Sequence, residues 1–178
     1  MVEVTSEWAG KERLFRLAFG DVLDLEQACE SGIGPIYARL ISGQFKLGDI
    51  WHTLRLGLIG GGMEALRAKA LLVDQFDRRP YVDHAALAAE IILALMTGVE
   101  PVAETTSTDG SAPLKFSEVS QMCTVFNLSP LDLRAMRYAD VINLMRGYSA
   151  SGRKSEPPSE AEFEAMLARH YAREDSRE

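Results

Sequence analysis

The spacing of apolar positions changes along this chain, and each change marks an element. Residues 2–8 and 12–19 carry strand formers in partial alternation, Leu14-Phe-Arg-Leu-Ala-Phe19 above all. Set around Ala9-Gly10-Lys11, they predict a β-hairpin. Asp21 then offers a side-chain acceptor for a helix start, and apolar residues at 22, 25, 28 and 29 predict a helix over 22–30. Ser31-Gly-Ile-Gly-Pro35 ends it and opens another from the proline to about Ser42. Asp49 caps a helix striped by Ile50, Leu54 and Leu58, with Trp51 alongside, and Gly60-Gly-Gly62 closes it. A helix over 63–77 follows, stopped ahead of Pro80. Residues 85–96 are apolar almost all round, with Glu90 the one charge. Such a helix measures about 18 Å against the ~30 Å of a bilayer core, so it predicts a buried core helix, not a membrane span.

Past residue 98 the period lapses. Thr105-Thr-Ser-Thr-Asp-Gly-Ser-Ala-Pro113 reads as a flexible linker. Helical spacing returns over 116–126, over 129–136 behind the N-cap and proline of Ser129-Pro130, and over 138–148. Ser149 to Pro158 combines small residues with two prolines and breaks the chain again. Behind Ser159-Glu-Ala-Glu162, which resembles a capping box, Phe163, Met166, Leu167, His170 and Tyr171 fall on one helix face. The expected architecture is mainly α. An N-terminal β-hairpin and helical bundle fill 1–98, a linker 99–113, a small helical module 114–149, a linker 150–158, and a detached C-terminal amphipathic helix 159–178.

Charge sharpens the division. The chain of 178 residues carries −7 overall. Residues 1–100 are net −4, 101–112 net −2, 113–154 net +3 and 155–178 net −4. Such sign changes suggest modules whose surfaces do different work. A pI near 5.1 argues against wholesale binding to nucleic acid or anionic lipid. Cys29 and Cys123 lack paired spacing, and Met1-Val-Glu-Val-Thr5 has no basic or apolar leader, so a cytoplasmic protein in a reducing compartment is expected.

Catalytic chemistry is hard to find. His52, His84 and His170 lie on separate elements, none with a second His or Cys at ligand spacing, and no metal or other cofactor is expected. Gly32-Ile-Gly34 and Gly60-Gly-Gly62 lack the Lys-Ser/Thr of a P-loop and the third glycine of a dinucleotide fingerprint, so they read as helix–helix corners. Asp74 and Asp77, one turn apart beside Arg78 and Arg79, read as solvated surface rather than an acid–base pair. No enzyme is expected. Residues 129–148 could form a helix-turn-helix with Arg134, Arg137 and Arg146 on phosphates, yet Val141-Ile-Asn-Leu-Met145 offers few groups for base edges.

Leu14-Phe-Arg-Leu-Ala-Phe-Gly20, Leu25-Glu26, Ser31-Gly-Ile-Gly34 and Leu54-Arg-Leu-Gly-Leu-Ile-Gly-Gly-Gly-Met63 together resemble the gene-transfer-agent type of phage tail assembly chaperone over about residues 12–97. Leu128-Ser-Pro130, Met136 and Gly147-Tyr148 resemble a second small phage tail-chaperone module, here fused behind the first. The resemblance implies a non-catalytic, helical factor of phage or prophage. It would coat the tape-measure protein, help recruit tail-tube subunits and be absent from the mature virion. The partners implied are the tape-measure protein, the tail-tube protein and other copies of the chain. Met packs adaptably, so Met136 and Met145 join Phe163, Met166, Leu167 and Tyr171 as the expected partner-binding set. The last helix docks back, self-associates or seats in a partner's groove. The competing readings are a small DNA-binding regulator using 129–148 and a structural tail or connector subunit of the virion.

Overall fold

The computed structural model describes residues 3–97 and 113–152. The chain divides into two compact units, Met1–Asn143 and Leu144–Glu178. Strands β1 (Val4–Trp8) and β2 (Lys11–Phe15) pair antiparallel, with Trp8 opposite Lys11 and Val4 opposite Phe15. The turn is therefore two residues, Ala9 and Gly10, both with positive φ, which suits the right-handed twist of a tight hairpin. Helices α1 (Phe19–Cys29), α2 (Ile33–Ser42), α3 (Leu47–Gly60), α4 (Ala65–Gln75) and α5 (Tyr81–Met96) follow, with a 3-10 turn at Phe76–Arg78. After them come α6 (Phe116–Phe126), α7 (Pro130–Ala135) and α8 (Tyr138–Gly152). The fold is thus an N-terminal hairpin on a helical bundle, with a small helical set behind it. The expected helix over 159–178 lies outside the described residues.

Several boundaries differ from the sequence reading, for one recurring reason. Strand β2 ends at Phe15 rather than near 19, because α1 already begins at Phe19. Asp21 stands three residues inside the helix, and its carboxylate accepts the Ala18 backbone N–H at 2.8 Å. Asp49 does the same for Lys46 at 3.0 Å, and Glu118 for Lys115 at 2.8 Å. At each start the flanking residue has no side-chain acceptor, so the acid reaches back from the first turn and its charge favours the helix N-terminus. Helix α2 starts at Ile33, ahead of the proline, since the Ile33 N–H is held by Glu26 Oε1 at 2.8 Å.

Helix α3 is the hub, packed against α1, α2, α4, α5 and β2. Its C-terminal turns are stripped of side chains where β2 arrives. A Cβ on Gly61 would sit 2.0 Å from the Leu14 carbonyl oxygen, and one on Gly60 would sit 2.1 Å from that of Arg16. One turn earlier, Gly57 faces the Phe15 ring, and its carbonyl accepts the Arg16 N–H at 3.0 Å. The glycine run that reads as a helix–helix corner does end the helix, with Gly62 at φ +100, but it is also the bed of a strand.

The seated hairpin puts Trp8 and Phe15, both fully enclosed, into the core with Val22, Leu25, Ile36, Ile50, Leu54, Leu72 and Ile92. Trp8 donates its indole N–H to His84 Nδ1 at 3.1 Å. An indole can only donate, so Nδ1 carries the lone pair and Nε2–H faces the Phe76 carbonyl at 3.1 Å. The Phe76 ring lies nearly parallel to the imidazole, 10° between planes. Helix α5, expected to be buried all round, begins at Tyr81 and exposes Val82 and Leu93 on one side.

Two outcomes follow from this packing. Gly61→Ala must displace β2 from α3 and is expected to lower stability by about 3 kcal/mol or more in chemical denaturation, as overpacking against rigid backbone does. Gly34→Ala, with nothing near its would-be Cβ, should be neutral or stabilising. Burial depresses the His84 pKa, as does Arg79, against the Phe76 carbonyl. The neutral ring therefore contributes stability that is whole above an unfolded-state pKa of about 6.5 and is lost as pH falls toward the folded value. Between neutrality and pH 5 the melting temperature should fall more steeply in the parent than in His84→Gln. Burial lowers the His52 pKa too, but His52 is common to both proteins and cancels in the comparison.

Candidate functional site

Two kinds of surface stand out: a polar-edged junction on α1, and apolar stripes facing outward. The junction starts from the order of residues in α1. Val22, Leu25 and Cys29 point into the core, while Phe19, Gly20 and Asp24 look toward α7. Gly20 leaves room for α7 to approach; a Cβ there would meet Arg134 Cβ at 2.9 Å. The Arg134 guanidinium reaches across to both Asp24 oxygens at 2.8 Å and to the Gly20 carbonyl at 3.3 Å. The Phe19 N–H, an orphan donor at the helix start, is taken by the Met136 carbonyl at 2.9 Å. The Tyr138 ring stacks on Phe19, centroids 6.5 Å apart. Farther along α1, the buried Glu26 holds two backbone N–H groups, Ile33 on Oε1 and Leu114 on Oε2 at 3.1 Å.

Asp21 lies at the hinge of these contacts. Burial raises its pKa, the Ala18 N–H opposes, Asp24 adds to the rise, and Arg134 and Arg16 pull it down. A second polar cluster ties α2 to α3. Arg39 engages the fully buried Asp49 through two bonds of 2.8 Å and reaches Ser31 with its other terminal nitrogen. Burial opposes ionisation of Asp49, yet the Arg39 bonds, the Lys46 N–H and Cys29 together hold its pKa below the usual carboxylate value. The adjacent Cys29 thiol is pushed up to about 12 by burial and by Asp49, so it stays protonated and inert.

The residues singled out from the sequence land as follows. Met136 is half-buried at the end of α7, engaged with α1 through its backbone. Met145 is half-buried on α8, in the second unit, where Tyr148 is exposed. Phe163, Met166, Leu167 and Tyr171 lie outside the described residues, as does His170. Asp74 is bound by Arg78 and Gln75, and Asp77 by the Tyr81 hydroxyl at 2.6 Å, so each acid serves its own helix end. Arg134 is spent on α1, and Arg137 stands 3.9 Å from Asp140, while Val141 is fully buried. Of the helix-turn-helix residues considered, Arg134 and Arg137 thus stand in half-exposed ion pairs and Val141 faces inward. Among the described residues no group of three His, Cys, Asp or Glu could hold a metal ion. Among them also no helix is long and apolar enough to cross a membrane.

Sequence reasoning missed the outward stripes. Leu66, Ala70 and Val73 share a face of α4, with Leu66 74% and Val73 66% exposed. Val82, Ala86 and Leu93 share a face of α5, with Val82 67% exposed. The opposite sides of these helices are buried, through Ala68 and Leu72 on α4 and through Ala88, Ile91 and Ile92 on α5. For Ala86 and Leu93 the signal was present in the apolar composition of 85–96, which the core reading absorbed; Leu66, Ala70, Val73 and Val82 lie outside that run.

If Gly20 is what lets α7 seat on α1, Gly20→Ala should loosen α7 without opening the core. Amide hydrogen exchange should speed up at residues 131–141, whereas the exchange-resistant amides of α3 and α5 should keep their parent rates. Arg134→Ala should act in the same direction but cost only about 1 kcal/mol or less, because the ion pair is half-exposed.

Comparison with known proteins agrees with this body plan. Residues 2–98, the hairpin through α5, match the family described as phage tail tube protein, GTA-gp10. No curated protein and no solved structure matches the chain. The matched stretch includes the strand bed of Gly57, Gly60 and Gly61 and the α1 face of the junction, while α6 and α7 follow it. The family places its role in the phage tail, in the tube or its assembly. Over more than half its length this chain is a member of the GTA-gp10 family of phage tail tube proteins.

Proposed function

We propose that this protein is a tail assembly chaperone that binds the tape-measure protein and helps bring tail-tube subunits to it. The observation that carries the reading is the pair of outward apolar stripes, Leu66-Ala70-Val73 on α4 and Val82-Ala86-Leu93 on α5. A stable two-layer helix packing buries one face of each helix; an open second face suits transient docking of other helices. A tape-measure protein is long and helical, so a surface of aliphatic side chains without fixed polar anchors would accept many of its turns in succession. In this reading Met136, Met145, Phe163, Met166, Leu167 and Tyr171 also serve partner binding. The protein acts in the host cytoplasm and leaves before the virion is complete.

A second reading is favoured by the family description itself, which names a tail tube protein. As a structural subunit the chain would remain in the finished particle. Mass spectrometry of purified particles separates the two, since a chaperone is absent there and a tube or connector subunit is present at many copies.

Co-expression with the tape-measure protein of the same genome should give a soluble complex with many copies of this chain by light scattering. Leu66→Asp with Val73→Asp should reduce capture at least tenfold while leaving thermal unfolding unchanged, because both side chains are exposed; Phe163→Asp with Leu167→Asp should reduce capture as well. A tape-measure protein left insoluble beside the parent chain would sink the chaperone reading.

A further inference from the structure

Phe19 is fully buried yet stands outside the main core cluster, as do Leu133, Ala139 and Val141, also fully or almost fully enclosed. They lie where α7 and the start of α8 cover α1, and Tyr138, stacked on Phe19, also packs against the main core. Moving the cover to a second chain would vacate the Gly20 seat and uncover Phe19, while Trp8, Phe15 and Leu54 keep their partners in the main core. Such an exchange remakes every polar contact it breaks: Arg134 on Asp24, half-exposed at 43% and 47%, and the Leu114 N–H on the buried Glu26 carboxylate. The seat lies within the matched family body, and its occupant lies beyond it.

We propose that this seat is an interface between copies: the α6–α7 segment of one chain docks on α1 of a second, using the contacts it makes here within one chain. The arm is joined to the body by residues 98–112. A segment of that length can span at most about 50 Å, beyond the ~30 Å diameter of a small domain. Reach is therefore sufficient for the arm to find a neighbour's seat, and no new surface has to be invented. A mutual exchange closes a two-fold dimer, whereas a one-way exchange leaves a free seat at one end and a free arm at the other, so it propagates. Open-ended exchange is a route by which a small protein lines up along a long one. Exchange of this kind needs no tape-measure protein and is open to test with this chain alone.

Two full-length variants isolate the exchange. Gly20→Leu fills the seat and leaves the arm intact. Leu133→Asp spoils the arm and leaves the seat open. Each alone should run at single-chain mass by size exclusion with light scattering, with the parent's helicity. Mixed in equal amounts, the intact arm of the first should occupy the open seat of the second, and the mass should double. A mixture that stays at single-chain mass overturns the proposal, since docking would then be confined to one chain. Should either variant fail to fold, the parent decides the matter across a dilution series at low salt. A mass that rises with concentration, and no longer rises in Arg134→Asp, supports the exchange; a mass constant at every concentration overturns it.

Discussion

The bare backbone bed at the end of α3 is the constraint on which the rest depends. Gly57, Gly60 and Gly61 lie on one side of the helix, and the Leu14 and Arg16 carbonyls of the hairpin's trailing edge press into the space their missing side chains leave. Two rigid backbones meet there, so the fit has almost no tolerance. From that contact the hairpin is aimed: Phe15 and Trp8 enter the core, and Trp8 finds His84 on α5. A hairpin of two five-residue strands has little stability alone. It holds because the helix receives it.

Acidic side chains inside first turns do the other organising work. Asp21, Asp49 and Glu118 each satisfy the backbone N–H that precedes their helix, where the flanking Ala or Lys cannot. Asp49 additionally receives Arg39 and so joins α2 to α3 in an enclosed ion pair whose carboxylate is fully supplied with donors. A buried pair of this kind contributes more to fixing geometry than to net stability, because desolvation offsets much of its attraction. Burial, with Asp49 beside it, keeps the neighbouring Cys29 thiol neutral.

The same economy shapes the surface. Around α1 the protein uses one glycine and a half-exposed ion pair to hold α7, a combination that is specific in register and modest in strength. On α4 and α5 it leaves Leu66, Val73, Val82 and Leu93 in solvent with nothing in the described residues over them. A member of a phage tail family has reason to carry both. Repeated copies and long chains, the partners proposed for it, are met by extended faces, not by a cleft.

Much of this was readable in the chain. Alternation around Ala9-Gly10 specified the hairpin, and the periodic stripes ending at glycine and proline specified the helices. The run Arg55-Leu-Gly-Leu-Ile-Gly-Gly-Gly62, in order with the other motifs, pointed to the family. These are local signals, set by backbone preference and by which face of an element repels water. Tertiary structure alone decided what the glycines were for. A glycine run shows that something comes close, but not whether it is a phosphate or a strand arriving from forty residues earlier. It also decided that Arg134 meets Asp24, 110 residues away. And it decided that α5, apolar on every side in sequence, keeps one side open, because burial is fixed by neighbours that no local pattern records.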